Sequence, residues 1–273
     1  MESFEIRKAQ VAGQFYSSSA SQLKTEIELL LEKPAEKKEV IACVMPHAGY
    51  MYSGRVAARV ASSIKIKEKI ILMGPNHTGY GKDYGIMVEG QWQMPFGNVQ
   101  IDTELANRLL KKSSCLEEDN LCHTYEHSLE VELPFLQYFK SDFKIVPIVL
   151  AAGELGTYKK IGEEIGNAIK DSAFKESVLI IASSDMTHYE PQNSAEKKDK
   201  QAIEAILELN EDKLWERVQR LNITMCGYAP TIAMLAAAKL LGATKGELVA
   251  YQTSGDITGD YSSVVGYAGI IIN

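Results

Sequence analysis

Three of the five histidines follow apolar runs that predict buried β-strands. The runs are VIACVMPH, which ends at His47, IILMGPNH, which ends at His77, and VLIIASSDMTH, which ends at His188. Ligands of open α/β sheets bind beyond the carboxyl ends of the parallel strands, so these imidazoles are expected to converge. Imidazole is the common metal ligand and the common general base near neutral pH. One such histidine would be interpreted as a turn or surface residue, but three predict a functional cleft.

Cys226 lies just before a helix predicted over Pro230–Leu241. A thiol near a helix N-terminus gains thiolate character, which makes it a better nucleophile or soft metal ligand. A buried and chemically inert thiol is an equally good interpretation of the local sequence. Asp185 lies three residues before His188. Its carboxylate is expected to orient that imidazole or to accept hydrogen bonds from backbone amides in a turn.

A rival pattern occurs at residues 123–127, where HTYEH matches HxxEH, the inverted zinc-peptidase motif. On one helix the two histidines would bind zinc, with Glu126 as the base. The pattern is short, and the helix that follows it is expected to start near Glu126 and to run to Leu136. This places His123 in the preceding loop and disfavours a peptidase. His127 alone stays a candidate for lining the site.

The chain has 273 residues, of which 45% are hydrophobic and 24% charged, and its formal net charge is −7. This composition is typical of a globular protein that buries a large core. The negative charge disfavours nucleic acid as a partner, because bulk electrostatic binding needs a basic face. No apolar run reaches the length of a membrane span, and the acidic N-terminus does not resemble a signal peptide. We therefore expect a cytoplasmic protein without a membrane partner.

Signatures of the common nucleotide sites and of cysteine-rich zinc fingers do not occur in the sequence. The glycines at 79, 81 and 85 do not form a dinucleotide fingerprint, and there is no GK[ST] phosphate loop, so neither NAD nor ATP is expected. No CxxC spacing occurs among the four cysteines, which are Cys43, Cys115, Cys122 and Cys226. In a reducing compartment they are expected to be free thiols, and the first three are interpreted as structural.

Short apolar runs alternate with helical patterns along most of the chain. Strands are predicted over Val40–Met45, Lys69–Met73, Lys144–Leu150, Ser177–Ala182, Glu247–Thr253 and Ser263–Ile272, with a smaller β excursion over Gly85–Glu89 and Gln91–Asp102. Helices are predicted near Arg55–Ser63, Thr157–Lys170, Ser194–Leu209, Lys213–Leu221 and Pro230–Leu241. A first helix is expected to begin at a capping box of Ser19 and Gln22 and to stop at Pro34. Its apolar face consists of Leu23, Ile27, Leu30 and Leu31.

These elements predict the fold class. Val- and Ile-rich runs without strict alternation are typical of strands covered on both faces, and the βα alternation predicts parallel pairing. The last two strands are joined by a Gly/Asp/Ser loop, which favours antiparallel pairing at the end of the chain. No repeat or linker divides the sequence. We therefore expect an α/β fold in which one domain, residues 1–273, has a largely parallel, mixed central sheet flanked by helices.

Several sequence blocks, in order along nearly the whole chain, resemble the MEMO family. They are VAGQFY at 11–16, PHAGYMYSG at 46–54, GPNH at 74–77, PFGNV at 95–99, EHSLEVELPFL at 126–136, SSDMTHY at 183–189, CGYAP at 226–230 and the terminal YQTSGD and VVGYA. Each block alone is modest, but together they are specific. The family is similar in fold to the LigB-type class III extradiol dioxygenases, so the resemblance implies a LigB-like α/β domain.

The resemblance also implies a metal site. His47 and His77 match the family histidines that correspond to iron ligands in the dioxygenases, and Cys226 matches the family cysteine that stands where the dioxygenases have a carboxylate ligand. Two imidazoles and one thiolate form a softer donor set than two imidazoles and one carboxylate. This set suits a divalent or redox metal ion, either iron, copper or zinc, without selecting one.

Other residues of the cleft follow from the same resemblance. His188 matches the catalytic acid/base of the dioxygenases, with Asp185 beside it. His127 matches a family position near the pocket. From the residues alone, the aromatic side chains of Tyr50 and Tyr52 are also expected to line a pocket, although aromatic residues more often serve the core.

The resemblance implies two functions for one cleft. The first is a metal-dependent redox or dioxygenase-like enzyme of unknown substrate, acting on a small aromatic molecule. The second is a non-enzymatic adaptor that binds a peptide or phosphopeptide in a cleft without turnover. From the residues alone a third hypothesis is a thiol hydrolase, with Cys226 as nucleophile, His188 as base and Asp185 as orienting group. A homo-oligomer is compatible with each of these.

Overall fold

The computed structural model describes residues 5–32 and 36–273. The strands are β1 (Ile6–Lys8), β2 (Ala42–Met45), β3 (Lys69–Pro75), β4 (Tyr84–Ile86), β5 (Gln91–Met94), β6 (Gly97–Ile101), β7 (Glu117–Glu118), β8 (Lys144–Leu150), β9 (Val178–Ser183), β10 (His188–Glu190), β11 (Gly246–Thr253) and β12 (Val264–Ile272). The helices are α1 (Ala20–Leu30), α2 (Tyr50–Ser63), α3 (Thr103–Lys112), α4 (Leu121–Thr124), α5 (Leu133–Phe139), α6 (Leu155–Lys170), α7 (Gln192–Leu207), α8 (Glu211–Arg220), α9 (Tyr228–Leu240) and α10 (Gly255–Thr258).

The strands form one mixed sheet in the order β1-β5-β6-β8-β3-β9-β2-β12-β10, with β11 paired to β12 and β4 to β8. The central strands β6, β8, β3, β9 and β2 run parallel. The last long strand, β12, is antiparallel to its neighbours β2 and β11. The predicted α/β class with a parallel centre and an antiparallel end is therefore confirmed. That one domain spans residues 1–273 stays a prediction.

Helices cover both faces of the sheet, which explains why the strands are apolar without alternation. Gly266 and Gly269 are three residues apart on β12, so they face opposite sides of the sheet. A Cβ atom at Gly266 would meet Asp199 of α7, whereas one at Gly269 would meet Val60 of α2. No helix in the described ranges has both the length and the apolar character needed to cross a bilayer.

The carboxyl ends of three parallel strands lie level at one edge of the sheet. β9 lies between β3 and β2, and it pairs Ser183 with Met45 and Ala182 with Met73. The loops that follow β2 and β3 therefore leave the sheet side by side. These loops carry His47 and His77, so the register of the strands brings the two histidines to the same edge.

The structure differs from the expected start of the first helix. Ser19 is the residue before α1, but its side chain makes no capping hydrogen bond. The hydroxyl of Ser17 instead donates to Gln22 Oε1 over 3.2 Å, so the capping box of Ser19 and Gln22 does not form. Leu23 and Ile27 are buried as predicted. Pro34, the expected stop, lies outside the described residues.

The helix expected to start near Glu126 begins only at Leu133. Pro134 explains the difference. A proline in the second turn or later would remove a helical hydrogen bond and clash with the preceding turn, whereas in the first turn it is well tolerated. Residues 125–132 therefore stay outside the helix, with turns at residues 128–132, and His123 lies in the short helix α4 rather than in a loop.

Candidate metal site

His47, His77 and Cys226 converge at the carboxyl edge of the sheet. Their candidate ligand atoms all lie within 4.8 Å of one another. Cys226 Sγ is 3.3 Å from His47 Nε2, and the centroids of the two imidazole rings are 5.2 Å apart. The spatial convergence expected from three remote segments of the sequence is therefore present. Two imidazole nitrogens and one sulfur at this spacing can reach a single metal ion.

The site is closed on one side and open on the other. His47 is 2% exposed, whereas the His77 side chain is 32% exposed. Burial, reinforced by the neighbouring histidines 77, 127 and 188, lowers the pKa of His47 well below its usual value. The imidazole is therefore neutral at pH 7, as a metal ligand requires.

The thiol of Cys226 does not have the thiolate character expected at a helix N-terminus. Burial and then the charge of Asp185 raise its pKa well above the usual value, although hydrogen bonds from Asp185 N–H and Ser184 oppose the shift. The N–H of Gly227, at the start of α9, donates to Ser184 Oγ over 3.0 Å and so is not directed at an anion. Cys226 is a neutral thiol that a bound cation would have to deprotonate.

Glu126 holds His77 in place by two contacts. Its Oε2 accepts a hydrogen bond from His77 N–H over 2.6 Å, and its Oε1 lies 2.9 Å from His77 Nδ1. Burial alone would raise the pKa of Glu126, but the bonds from His77 and Ser128 lower it to about 2. The carboxylate is therefore charged and accepts the Nδ1 proton, which leaves Nε2 of His77 free to bind a metal.

His127 lies against both ligand histidines. Its ring stacks on His77 with centroids 4.8 Å apart, and it lies 5.6 Å from the ring of His47. A second group of possible ligand atoms joins His77, Glu126 and His127. The oxygens of Glu126 are already engaged by His77 and by Ser128 N–H. We therefore interpret this second group as the outer support of the first rather than as a separate metal site.

Asp185 supports the loop of His47 rather than the imidazole of His188. Its Oδ1 accepts a hydrogen bond from His47 N–H over 2.9 Å. His188 Nδ1 instead lies 2.8 Å from the carbonyl oxygen of Thr224, and His188 N–H donates to Thr224 Oγ1. Of the two roles expected for Asp185, the structure shows the hydrogen bond to a backbone amide. It does not form the Asp185–His188 pair that a thiol hydrolase would use.

One ring nitrogen of His188, Nε2, has no hydrogen-bond partner among the described residues. A carbonyl oxygen only accepts, so the contact with Thr224 places the proton on Nδ1 and leaves Nε2 as the acceptor. His188 is half-buried on β10, and its charge contributes to the lowered pKa of His47. The imidazole is therefore placed near the ligand group without belonging to it.

The two aromatic residues expected in the pocket have different surroundings. Tyr50 is buried in the core, where its hydroxyl donates to the Val131 carbonyl and its ring stacks on Phe135. Its ring contacts belong to the core, with Tyr16 on the other side at 5.4 Å between centroids. Tyr52 is half-buried and lines a groove of about 490 Å³ together with Phe15. Phe15 meets the edge of His127 at 5.1 Å, so this groove adjoins the site.

The peptidase hypothesis has no geometric support. His123 is fully buried and contacts Trp92, and its two ring nitrogens have no hydrogen-bond partner among the described residues. Burial lowers its pKa to about 3. His123 does not share a group of ligand atoms with His127, because residues 125–132 do not form the helix that would align them.

Sequence patterns alone do not identify the buried polar residues that support the candidate ligands. They present Glu126 as a peptidase base and as a helix start, and they do not distinguish Ser183 and Glu132 from other polar residues. Ser183 Oγ lies 2.8 Å from His47 Nδ1 and 2.9 Å from Glu132 Oε1. The available signal was the presence of Glu126, Glu130 and Glu132 in an otherwise apolar segment, since buried carboxyl groups need partners.

A solved structure with a similar fold is that of the uncharacterized protein JW3007 from Escherichia coli K12. The alignment has a TM-score of 0.58 and 14% sequence identity, and it covers 84% of this chain and 98% of that chain. At this identity the similarity concerns the fold alone, and it agrees with the mixed α/β sheet described above.

Sequence relatives cover almost the full chain. A MEMO1 family protein of Aquifex aeolicus is 45% identical over 268 residues, which are 97% of this chain and 98% of that protein. A MEMO1 family protein of Methanosarcina barkeri is 44% identical over 269 residues, which are 98% of this chain and 100% of that protein. The family model described as Memo-like protein matches residues 7–271. The resemblance noted in the sequence is thereby confirmed, and the chain belongs to the family of Memo-like proteins.

Proposed function

We propose that this protein binds one divalent or redox metal ion through His47, His77 and Cys226 and acts as a metal-dependent redox or dioxygenase-like enzyme. The observation that carries the proposal is the convergence of these three ligand atoms within 4.8 Å at the carboxyl edge of the sheet. Ligand sites of open α/β folds lie at this edge. The donor set includes a soft sulfur, so iron, copper and zinc are the candidate metals.

The surroundings of the ligands suit a metal. Both imidazoles have Nδ1 engaged by an outer partner, Glu126 for His77 and Ser183 for His47. Outer partners of this kind are typical of metal-binding histidines, because they orient the ring and fix which nitrogen carries the proton. The exposed side of His77 leaves room for a substrate. When bound, a redox metal would supply electron transfer and activation of oxygen, which side chains alone do not provide.

The chain's own residues would bind, orient and move protons around the substrate. His188 is the candidate acid/base, because its Nδ1 is engaged by the Thr224 carbonyl and its Nε2 is free. Asp185 is a positioning residue for the loop of His47. His127 and Phe15 offer ring faces and edges at the rim. This lining favours a small aromatic molecule, which aromatic and imidazole rings contact well.

The alternative function is a non-enzymatic adaptor that binds a peptide or phosphopeptide in the same cleft. An adaptor would use the cleft for binding without catalysing a reaction. Its function would depend less on a bound metal than the proposed enzymatic function does. Binding of nucleic acid or of a membrane is not proposed, while self-association is left as a separate question for a solution measurement. The reliance on a reduced thiol at Cys226 suits a cytoplasmic location.

The metal is tested by elemental analysis of the purified protein and of His47→Ala and Cys226→Ser variants. Wild type should hold about one metal ion per chain, and both variants should lose most of it. Cys115→Ser is the matched control, because Cys115 is a half-buried thiol outside the ligand group. Equal metal content in all four proteins would overturn the metal site.

Turnover is tested separately with the metal-loaded protein. Oxygen consumption with catechol-type substrates should depend on His188, so His188→Ala should keep the metal and lose most of the rate. If no substrate is turned over and a phosphotyrosine peptide binds equally to the metal-loaded and metal-free protein, the adaptor function is supported and the enzyme is not.

A further inference from the structure

The hydroxyl of Ser183 sits at the centre of a buried polar group behind His47. Three polar atoms surround Ser183 Oγ: the Ser128 carbonyl oxygen at 2.7 Å, His47 Nδ1 at 2.8 Å and Glu132 Oε1 at 2.9 Å. Ser128, Ser183 and Glu132 are all fully buried. Water is therefore not a ready partner for any of these atoms, and their hydrogens must be shared among themselves.

Counting hydrogens fixes the direction of each bond. A serine hydroxyl donates one hydrogen and accepts two, whereas a backbone carbonyl only accepts. The single hydrogen of Ser183 must therefore go to the Ser128 carbonyl. His47 Nδ1 and Glu132 Oε1 can then contact Ser183 favourably only as donors. For His47 this means a proton on Nδ1, and for Glu132 it means a protonated carboxyl group.

Two features of Glu132 agree with this assignment. Glu132 Oε2 is buried and has no hydrogen-bond partner in the described part of the chain, which is costly for a carboxylate and far less so for a neutral acid. Burial, reinforced by the charge of Asp185, also raises the pKa of Glu132 well above its usual value.

We infer that Ser183 and Glu132 are positioning residues that hold His47 in its Nδ1–H tautomer and thereby direct the Nε2 lone pair at the metal site. The consequence for metal binding rests on the proposed function, whereas the tautomer itself does not. Nε2 is the atom that lies 3.3 Å from Cys226 Sγ. A neutral acid and a hydroxyl thus do for His47 what the charged Glu126 does for His77.

The two ligand histidines therefore differ in their outer support. His77 is backed by a carboxylate, which increases the basicity of the metal-binding nitrogen, while His47 is backed by a neutral oxygen. If a carboxylate also bonded His47, a second negative charge would lie in the closed, buried half of the site. The Ser183 hydroxyl and the neutral Glu132 orient His47 without that charge.

The tautomer is tested by ¹⁵N-histidine NMR of the metal-free wild-type protein. The expected result is a His47 spectrum with a protonated Nδ1 and an unprotonated Nε2. In Ser183→Ala the acceptor for Nδ1–H is lost, so the Nε2–H form should become the major one. Assignment uses the loss of the His47 signals in His47→Ala. A wild-type His47 with its proton on Nε2 overturns the inference.

Glu132 is tested by two variants that differ in one property. Glu132→Gln offers an amide N–H to Ser183 in place of the acid O–H, so it should keep the wild-type tautomer. Glu132→Leu removes the donor that occupies one acceptor site of Ser183 Oγ, so the hydroxyl can rotate and donate to His47 Nδ1, which should produce a mixture of tautomers. Glu211→Gln is the control, since Glu211 is a buried carboxyl paired with Lys239 at another place in the fold. If Glu132→Leu and Glu132→Gln have the same tautomer as wild type, Glu132 has no positioning role.

Zinc titration provides the second readout. Ser183→Ala and Glu132→Leu should bind Zn²⁺ about 10- to 100-fold more weakly than wild type, as is typical when an outer partner is lost, while Glu132→Gln should bind equally. If the wild-type protein shows the expected tautomer but binds no metal, the proposed function is rejected, while the positioning of His47 by Ser183 and Glu132 still holds. If the wild-type protein binds metal tightly but His47 has its proton on Nε2 in the metal-free state, only the positioning role of Ser183 and Glu132 is rejected.

Discussion

Cys226 Sγ lies 3.3 Å from His47 Nε2, although the two residues are 179 positions apart in the chain. The contact joins the loop after β2 to the start of α9, and it places a neutral thiol beside a neutral imidazole. Neither group has a charge that would attract the other. The pair therefore does not have the charges of a thiolate–imidazolium couple, which is how nucleophilic cysteines are activated.

Alkylation of Cys226 should be slow in the metal-free protein. The thiolate is the reactive species, and burial raises the pKa of this thiol. At about pH 7.5 we expect iodoacetamide to modify Cys226 at least about tenfold more slowly than free glutathione, as measured by mass spectrometry of timed digests. The peptide containing the half-buried Cys115 serves as a reference within each digest. Modification as fast as that of glutathione would instead favour the thiol hydrolase.

Glu126→Gln should weaken metal binding by about 10- to 100-fold without removing a ligand. The charged carboxylate holds Nδ1–H and the backbone N–H of His77, and an amide would hold them more weakly. Isothermal titration with Zn²⁺ measures the change. Glu117→Gln is the control, because Glu117 pairs with Lys82 on the surface. Equal affinities for both variants would show that Glu126 does not support the site.

Glu132→Gln should stabilise the protein at neutral pH. Burial raises the pKa of Glu132 well above 4.5, so above pH 4.5 the unfolded chain loses a proton that the folded chain keeps. The stability of wild type therefore falls relative to the variant as pH rises, by up to about 1.4 kcal/mol per pH unit. Below about pH 4 this pH-dependent difference should vanish. Urea unfolding of both proteins from about pH 4 to 8 measures it, and a constant difference would mean that Glu132 ionises in the folded state.

Arg7→Met should destabilise the fold by about 3–5 kcal/mol, because it leaves the buried carboxylate of Glu130 without its cation. The Arg7 guanidinium also donates to the carbonyl oxygens of His123 and Glu126 and lies over Trp92. Chemical denaturation measures the loss. The control is Arg220→Met, which breaks an exposed pair with Glu216.

That control should change stability by less than about 1 kcal/mol, because both of its side chains are more than half exposed. Equal effects of the two arginine variants would mean that the buried network around Arg7 contributes little. The network connects β1 to the segment that contains Glu126 and His127. A second measurement is therefore the metal affinity of both variants, made without denaturant and at a temperature well below the unfolding midpoint.

The fold class and the position of two ligands were predictable from local pattern. An apolar run predicts a buried strand, and a histidine directly after the run is then expected at the carboxyl edge of the sheet, because parallel strands end at a common edge. Pattern failed where contacts with distant segments decide the conformation. The segment around Glu126 has helical periodicity up to Leu136, yet Pro134 and the partners of Glu126 and Glu130 keep residues 125–132 out of the helix.

Local sequence patterns are enough to predict the alternating α/β elements, the family and three candidate ligands, His47, His77 and Cys226. The folded chain adds that the three meet, that Asp185 bonds the backbone of His47 rather than the ring of His188, and that Cys226 is a neutral thiol. The physical reason is that hydrogen-bond partners and burial are properties of atoms from segments far apart in the chain. The type of a side chain sets which chemistry it can do, while its three-dimensional surroundings set its protonation state and its orientation.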